Sequence, residues 1–359
     1  MRAAIAKSGT LRVDDVEDPV PGSGDALIAV KACGICGSDL HALVHAHKMI
    51  EQSVAAGVPV TFDPSRDYIM GHEFAGEVLE LGPDTAGAPV SVGDLVTSIP
   101  VVLTPTGIEA TAYSNTYNGG YADLMRLSAA LCMKVPNGLD HRRAAMTEPM
   151  AVGRHAVGKA HVRTGDTAVV LGCGPVGLAC IADLRRREVE TIVAADFSPR
   201  RRATAVAMGA TEAVDPRDEP AVDAWRRLTG GTRPLVMFEA IGVPGMLDSV
   251  MRAAPTQSRI VVVGVCMETD QVHPFVGITK ELNIQFALAY DPLEFMQTLA
   301  DIAEGVVDVS PMMTGVCGID GVPDAFATLG RPDDHVKILV EPGRGPAIEP
   351  LTSAGLAAD

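Results

Sequence analysis

From Thr167 to Tyr290 short apolar runs alternate with amphipathic stretches, and this rhythm limits the possible folds more than any other feature of the chain. TAVVLG, TIVAAD, AVD, PLVMFEAIG, RIVVVGV and NIQFALAY read as strands. PVGLACIADLRRRE, PRRRATAVAMGA, AVDAWRRLTG and MLDSVMRAA read as the helices between them. Near-continuous apolar strands joined by helical crossovers predict an α/β unit, a doubly wound parallel sheet of six strands covered on both faces.

The first crossover carries GCGPVG, residues 172–177. A glycine-rich turn alone is weak evidence, but here a strand precedes it, a helix follows, and an acid, Asp196, ends the next strand. Gly172 permits the tight turn, Gly174 lets a pyrophosphate approach, and Gly177 allows helix and strand to pack closely. With Pro175 and Val176 they bring the helix N-terminus to the phosphates. Asp196 would accept hydrogen bonds from the adenosine ribose, favouring NAD and repelling a 2′-phosphate. Arg200, Arg201 and Arg202 complicate this preference, because an arginine there could bind that phosphate and admit NADP. For two of the three, a solvated helix face is the simpler account.

A chain of 359 residues exceeds the usual size of one core, so a second domain is expected. Residues 1–149 are rich in Gly and Pro around short runs such as ALIAV and FAGEVLEL, as in an irregular β domain. The strand-rich tail, 291–359, reads as a return to that first domain, which makes 150–290 an insertion. GPAIEPLTSAGLAAD, at the end, carries few packing signals and is expected to be loosely held. A net charge of −16 argues against a nucleic-acid partner. No apolar run approaches a membrane span. Seven cysteines in no regular framework fit free thiols in the cytoplasm.

CGSDLH, residues 36–41, concentrates a thiol, a hydroxyl, a carboxylate and an imidazole. Cys33 and Cys36 form a CxxC, but no second CxxC follows, so a four-cysteine zinc site is unsupported. GHEFAGEV adds His72 and Glu73, and TEPMAVG adds Glu148. A thiolate, an imidazole and one or two carboxylates suit a catalytic zinc with a position left for substrate.

In combination CGICGSDLH, GHEFAGEV, SVGDLV, GGYAD, TEPMAVG, GCGPVG and KELNIQ follow the order of the zinc-dependent medium-chain dehydrogenase/reductase family, which the chain resembles over nearly its whole length. The glutamate of TEPMAVG resembles the sorbitol, butanediol and threonine dehydrogenase branch. That resemblance implies a GroES-like catalytic domain beside the Rossmann-type sheet, and a homodimer or homotetramer. It implies zinc ligands at Cys36 and His72, with Glu73 and Glu148 binding directly or through water. It also implies a proton relay at Ser38 and His41. Val176 falls behind the nicotinamide ring, and Val263 and Val265 fall beside it; of the three arginines, Arg201 is the one counted among the cofactor-binding residues. The implied reaction moves a hydride between a secondary alcohol, diol or polyol and NAD.

Two departures from the family stand out. Residues 97–131 contain no cysteine, where many relatives hold a second, structural zinc, so one zinc per chain is expected. The stretch from Ala42 to Tyr68 is long, and is expected to form a loop at the active-site mouth or a subunit contact. His45 and His47 fit an exposed helix face. His155 fits packing with a satisfied hydrogen bond, and Asp39 fits a group that orients His72 or the Cys36 loop. An NADP-dependent aldehyde or ketone reductase, and a dinucleotide-binding protein without chemistry, remain the competing readings.

Overall fold

The computed structural model describes residues 1–351 except 59, 61 and 332. Its six-stranded sheet runs, edge to edge, through Glu212–Val214, Ile192–Ala195, Thr167–Leu171, Leu235–Glu239, Arg259–Val262 and Asn283–Phe286. Every neighbouring pair is parallel. The order reverses between Thr167–Leu171 and Leu235–Glu239, which opens a crevice at their carboxyl ends, where such sheets bind ligands. Trp225 is buried under this sheet and donates from its indole to Thr167 Oγ1 at 2.7 Å, so its one polar atom is satisfied. A helix, Pro274–Lys280, precedes the last strand; at seven residues its pattern is too short to read from sequence.

The second large sheet joins chain segments far apart in sequence. Strand Asp25–Gly34 pairs with Glu73–Leu81 and Leu124–Ser128 on the early side. From the tail it receives Lys337–Val340, which in turn pairs with Met313–Cys317. The register sets Gly34 opposite both Glu73 and Leu339, so three strands meet where the reactive side chains lie. The tail closes further than its composition suggests. Pro350 and Glu349 pair with Gly315 and Val316, and Leu351 donates to Thr314 O. An open strand edge offers backbone partners whatever the side chains are, so 345–351 is held rather than loose. The remainder of that expectation, residues 352–359, lies outside the described residues.

The stretch after Cys36 is also different. Of the stretch from Ala42 to Tyr68, the first part is helical, since Gly37–Ala55 is one 19-residue helix bent at His45, whereas the described residues of 56–68 form turns with a single bridge at Tyr68, and residues 59 and 61 lie outside the described residues. Between Ser38 and Ala56 there is neither Gly nor Pro, and Asp39 caps the start by accepting from Cys36 N at 3.2 Å. The cysteine-free 97–131 region forms a hairpin, Val101–Thr104 with Gly107–Ala110, tied down by Leu103 N donating to Ser128 Oγ at 2.8 Å.

Candidate metal centre and cofactor cleft

Cys36 stands at the N-cap of the long helix, and His72 and Glu73 lead into the strand Glu73–Leu81. One ligand atom from each of the three lies within 4.8 Å of the others, and no further His, Cys, Asp or Glu joins them in this group of the described residues. Asp39, fully buried, organises the surroundings. It accepts from Tyr121 at 2.6 Å and from Tyr113 at 2.8 Å, and it lies 3.3 Å from His72 Nδ1. Burial alone would raise the Asp39 pKa, but His72 and the two tyrosines outweigh it and hold the carboxyl below its usual range. For His72 burial opposes the charged form, and the Asp39 carboxylate and the Cys36 thiol overcome it, so the pKa stands well above the ordinary value.

The donor set fits zinc. A thiol, an imidazole and a carboxylate are the zinc ligand types, and a second carboxylate is close by. The buried His72 Nδ1 has no aligned hydrogen-bond partner, only the neighbouring Asp39 charge. That contact directs Nδ1 away from the cluster and leaves Nε2 for a metal.

Each carboxylate has a partner of its own. Both Glu73 oxygens bond Lys337 Nζ, at 2.7 and 2.6 Å, and Lys337 also donates to Ile35 O at 3.0 Å. A Cβ on Gly34 would overlap Glu73 Oε2, so only glycine leaves room for this carboxylate. Glu148 sits in the first turn of the helix Thr147–Lys159, outside the three-residue group, and hydrogen-bonds Tyr290. Burial, with Glu73 nearby, pushes its carboxyl up to about 7. Ser38 is exposed at the cleft, its Oγ 3.1 Å from Tyr113 Oη, and His41 is exposed on the same helix. His45 and His47 are exposed too, and His155 bonds Glu294 at 2.7 Å, a structural contact.

At the other end of the cleft, Gly172 adopts φ of 91°, and a Cβ on Gly177 would strike Gly172 O. Gly174, Pro175 and Val176 are partly exposed along the turn and open the helix. Asp196 accepts from Cys173 N and Ser198 N, both at 2.8 Å, which fixes its carboxylate over the glycine turn. Arg201 Nη1 lies 4.0 Å from Asp196, and its buried Nε has no partner. Arg200 is exposed, as a solvated face requires, but Arg202 bonds Asp196 O, Phe197 O and Asp215 and is structural. Val263 is nearly buried beyond the strand end and Val265 is exposed in the following turn.

Tyr113, Tyr290 and Lys337 were not legible as site residues. Lys337 alone left a signal, a lysine inside the apolar run VKILV, where a buried charge needs a counter-charge.

Two domains, one glycine-rich dinucleotide cleft and one thiolate–imidazole–carboxylate cluster define a metal-dependent dehydrogenase. Residues 22–137 match the alcohol dehydrogenase GroES-like domain and residues 175–304 the zinc-binding dehydrogenase domain. The chain is 30% identical to (R,R)-butanediol dehydrogenase of Bacillus subtilis, over 92% of this chain and 96% of that protein. It is 25% identical to sorbitol dehydrogenase of the same organism, over 96% and 98%. A solved zinc-binding dehydrogenase from Sinorhizobium meliloti 1021, bound to NADP, superposes with a TM-score of 0.81 at 26% identity, covering 95% of this chain and 99% of that one. The chain belongs to the zinc-dependent medium-chain alcohol and polyol dehydrogenase family, and it is a nicotinamide-linked oxidoreductase.

Proposed function

We propose that this enzyme oxidises a secondary hydroxyl of a diol or polyol, with NAD preferred over NADP and one zinc per chain. The convergence of Cys36, His72 and Glu73 at the cleft carries this reading. The relationship to butanediol and sorbitol dehydrogenases supports the substrate class. Asp196 over the glycine turn supports NAD, and the cysteine-free hairpin at 101–110 supports a single zinc. Domain boundaries at 149/150 and 290/291 follow from the same reading.

Cys36 and His72 would hold the zinc, with Glu73 and Glu148 as the carboxylates that complete its surroundings. Bound there, zinc supplies a Lewis acid that makes the substrate hydroxyl more acidic. Ser38 Oγ takes the hydroxyl proton. His41, exposed on the same helix, would take up the outgoing proton and release it to solvent. Asp39 keeps the His72 ring in place, and Lys337 holds Glu73. Val176, Val263 and Val265 would bound the nicotinamide, which when bound supplies the hydride acceptor, and Asp196 would hold the adenosine ribose with Arg201 beside it.

The chain acts as a homodimer or homotetramer. Asn283–Phe286 has one paired edge and one open edge, and Phe275, Ile278, Phe286 and Leu288 beside it are all more than 60% exposed. A ligating Cys36 must stay reduced, which suits the cytoplasm. No helix among the described residues is long and apolar enough to cross a membrane.

The test is a panel of secondary alcohols, vicinal diols, sugar alcohols and threonine, with NAD and NADP, followed by absorbance of the reduced cofactor. Turnover of diols or polyols with NAD is expected. A zinc-loaded enzyme inactive on the whole panel would overturn the substrate class, and faster turnover with NADP would overturn the cofactor choice.

A further inference from the structure

We propose that Lys48 and Glu268 are positioning residues, an ion pair that latches the loop beside the nicotinamide to the catalytic domain and slows release of the reduced cofactor. The proposal rests on reading Val263 and Val265 as residues that bound the nicotinamide.

The two halves of the helix Gly37–Ala55 are seated differently. Its N-cap is Cys36 of the metal cluster, and its buried residues, Asp39, Ala42 and Ala46, all precede Lys48. Beyond Ala46 no residue of the helix is buried, and Met49 and Ile50 are only partly covered. The bend at His45 separates these halves. Lys48 therefore stands about 18 Å along the helix from Cys36, at 1.5 Å of rise per residue. There it pairs with Glu268 of the dinucleotide-binding domain. Among the described residues this is the one ion pair between the helix and that domain, and neither partner has another.

Glu268 lies in the irregular stretch between Arg259–Val262 and the helix Pro274–Lys280, beyond the carboxyl end of the sheet, where the crevice opens. Its own domain fastens this stretch at both ends. Val263 N and Gly264 N donate to Glu239 O at 2.8 and 2.9 Å. Asp270 accepts from Gly245 N at 2.7 Å, and His273 N donates to Asp248 at 2.9 Å. Between these anchors, 265–269 makes one hydrogen bond within its own domain among the described residues. It runs from Cys266 Sγ to Glu268 O at 3.7 Å and is internal to the segment. The polar tie to anything outside is Lys48. Val265 opens this segment with 58% of its surface exposed, so where it stands depends on how the segment is held.

The loop belongs to one domain and the helix to the other, so the pair spans the cleft between them. Its side chains are 32% and 58% exposed, which leaves it open to salt. Exposed pairs change an equilibrium by about two- to fivefold, a strength that retains a cofactor and still opens on each turnover.

The experiment follows release of NADH from the zinc-loaded enzyme by stopped-flow fluorescence, with excess NAD displacing it. Lys48→Met and Glu268→Gln should each speed release about two- to fivefold at low salt, and the double variant should be no faster than either. At about 1 M salt the parent should approach the rate of the variants, because the pair is then screened. Lys48→Glu combined with Glu268→Lys should restore slow release. ADP-ribose, which lacks the nicotinamide, should bind the parent and all these variants alike. Additive effects of the two substitutions, no rescue by the charge swap, or equal weakening of ADP-ribose would overturn the latch. Val176→Trp tests the reading beneath it, and should block NADH while sparing ADP-ribose. If it leaves NADH binding unchanged, the nicotinamide lies elsewhere and the latch falls with that reading. If it blocks NADH while the Lys48 and Glu268 variants release it at the parent rate, the latch alone falls.

Discussion

Lys337 Nζ lies 2.7 and 2.6 Å from the two Glu73 oxygens, and neither side chain has any exposed surface. A buried pair of this kind is costly to break from one side, because the remaining charge has neither water nor counter-ion. Lys337→Met should therefore destabilise the metal-free protein by roughly 3–5 kcal/mol, measured by denaturant unfolding. Lys337→Met combined with Glu73→Gln should recover a large part of that loss, since no unpaired charge remains. A double variant no more stable than Lys337→Met would mean that the lysine acts through packing, not charge.

Cys36→Ser should remove most of the zinc and the activity, because a hydroxyl binds zinc far more weakly than a thiolate. Folding should survive. The single tryptophan, Trp225, reports on this directly, since it is buried in the parallel-sheet domain away from the metal ligands. Metal analysis should show the loss while Trp225 emission and the unfolding midpoint of the metal-free proteins stay unchanged.

How much of this was legible follows from where each signal sits in the chain. The parallel sheet is written locally, in apolar runs and helices of the right length, and the glycine turn announces its own position. Cys36, His72 and Glu73 are legible as motifs, and the structure brings them together. The Glu73–Lys337 pair is not, because its members are 264 residues apart and only the sheet register around Gly34 joins them. Tyr113 lies in a segment of Ser, Thr, Asn and Gly without periodicity, so nothing local gives its direction. The helix Gly37–Ala55 was legible in composition, but the length of the stretch suggested a loop. Its helix formers run unbroken by Gly or Pro from Ser38 to Ala56.

Glu341 gives the pH dependence a defined sign. It is buried and binds His141 at 3.2 Å, Arg142 at 2.5 Å and Arg344, tying the helix His141–Ala145 to the tail. Burial would raise its pKa, but these three partners outweigh it and lower the value from 4.5 to about 2. A depressed folded pKa stabilises fully above the unfolded value and is lost as pH falls through the folded one. The contribution is thus present above about pH 4.5 and fades toward pH 2, and it amounts to about 3 kcal/mol. Glu341→Gln should lower stability near neutral pH by roughly that amount. Its stability curve should meet that of the parent near the acid end. Parallel curves for the two metal-free proteins, from neutral pH to the acid end, would refute the assignment.

The proposed preference for NAD would rest on Asp196 and Arg201 together. Asp196 faces the glycine turn through Cys173 N, and a 2′-phosphate brought there would meet its negative charge. Arg201 lies 4.0 Å from that carboxylate, with a buried Nε that has no partner. Asp196→Gly removes the acceptor for the ribose hydroxyls, a loss of roughly 1.5–3 kcal/mol for charge-assisted bonds, and NAD should bind about ten- to a hundredfold more weakly. The same change frees Arg201 to meet the 2′-phosphate, so NADP binding should improve in absolute terms. Adding Arg201→Ala should abolish the gain in NADP while changing NAD binding far less, because the neutral ribose does not depend on a guanidinium charge. Calorimetric titration of both cofactors into the parent, Asp196→Gly and the double variant separates these effects. An unchanged ratio of NAD to NADP affinity in Asp196→Gly would show that Asp196 only braces the turn and does not select the cofactor.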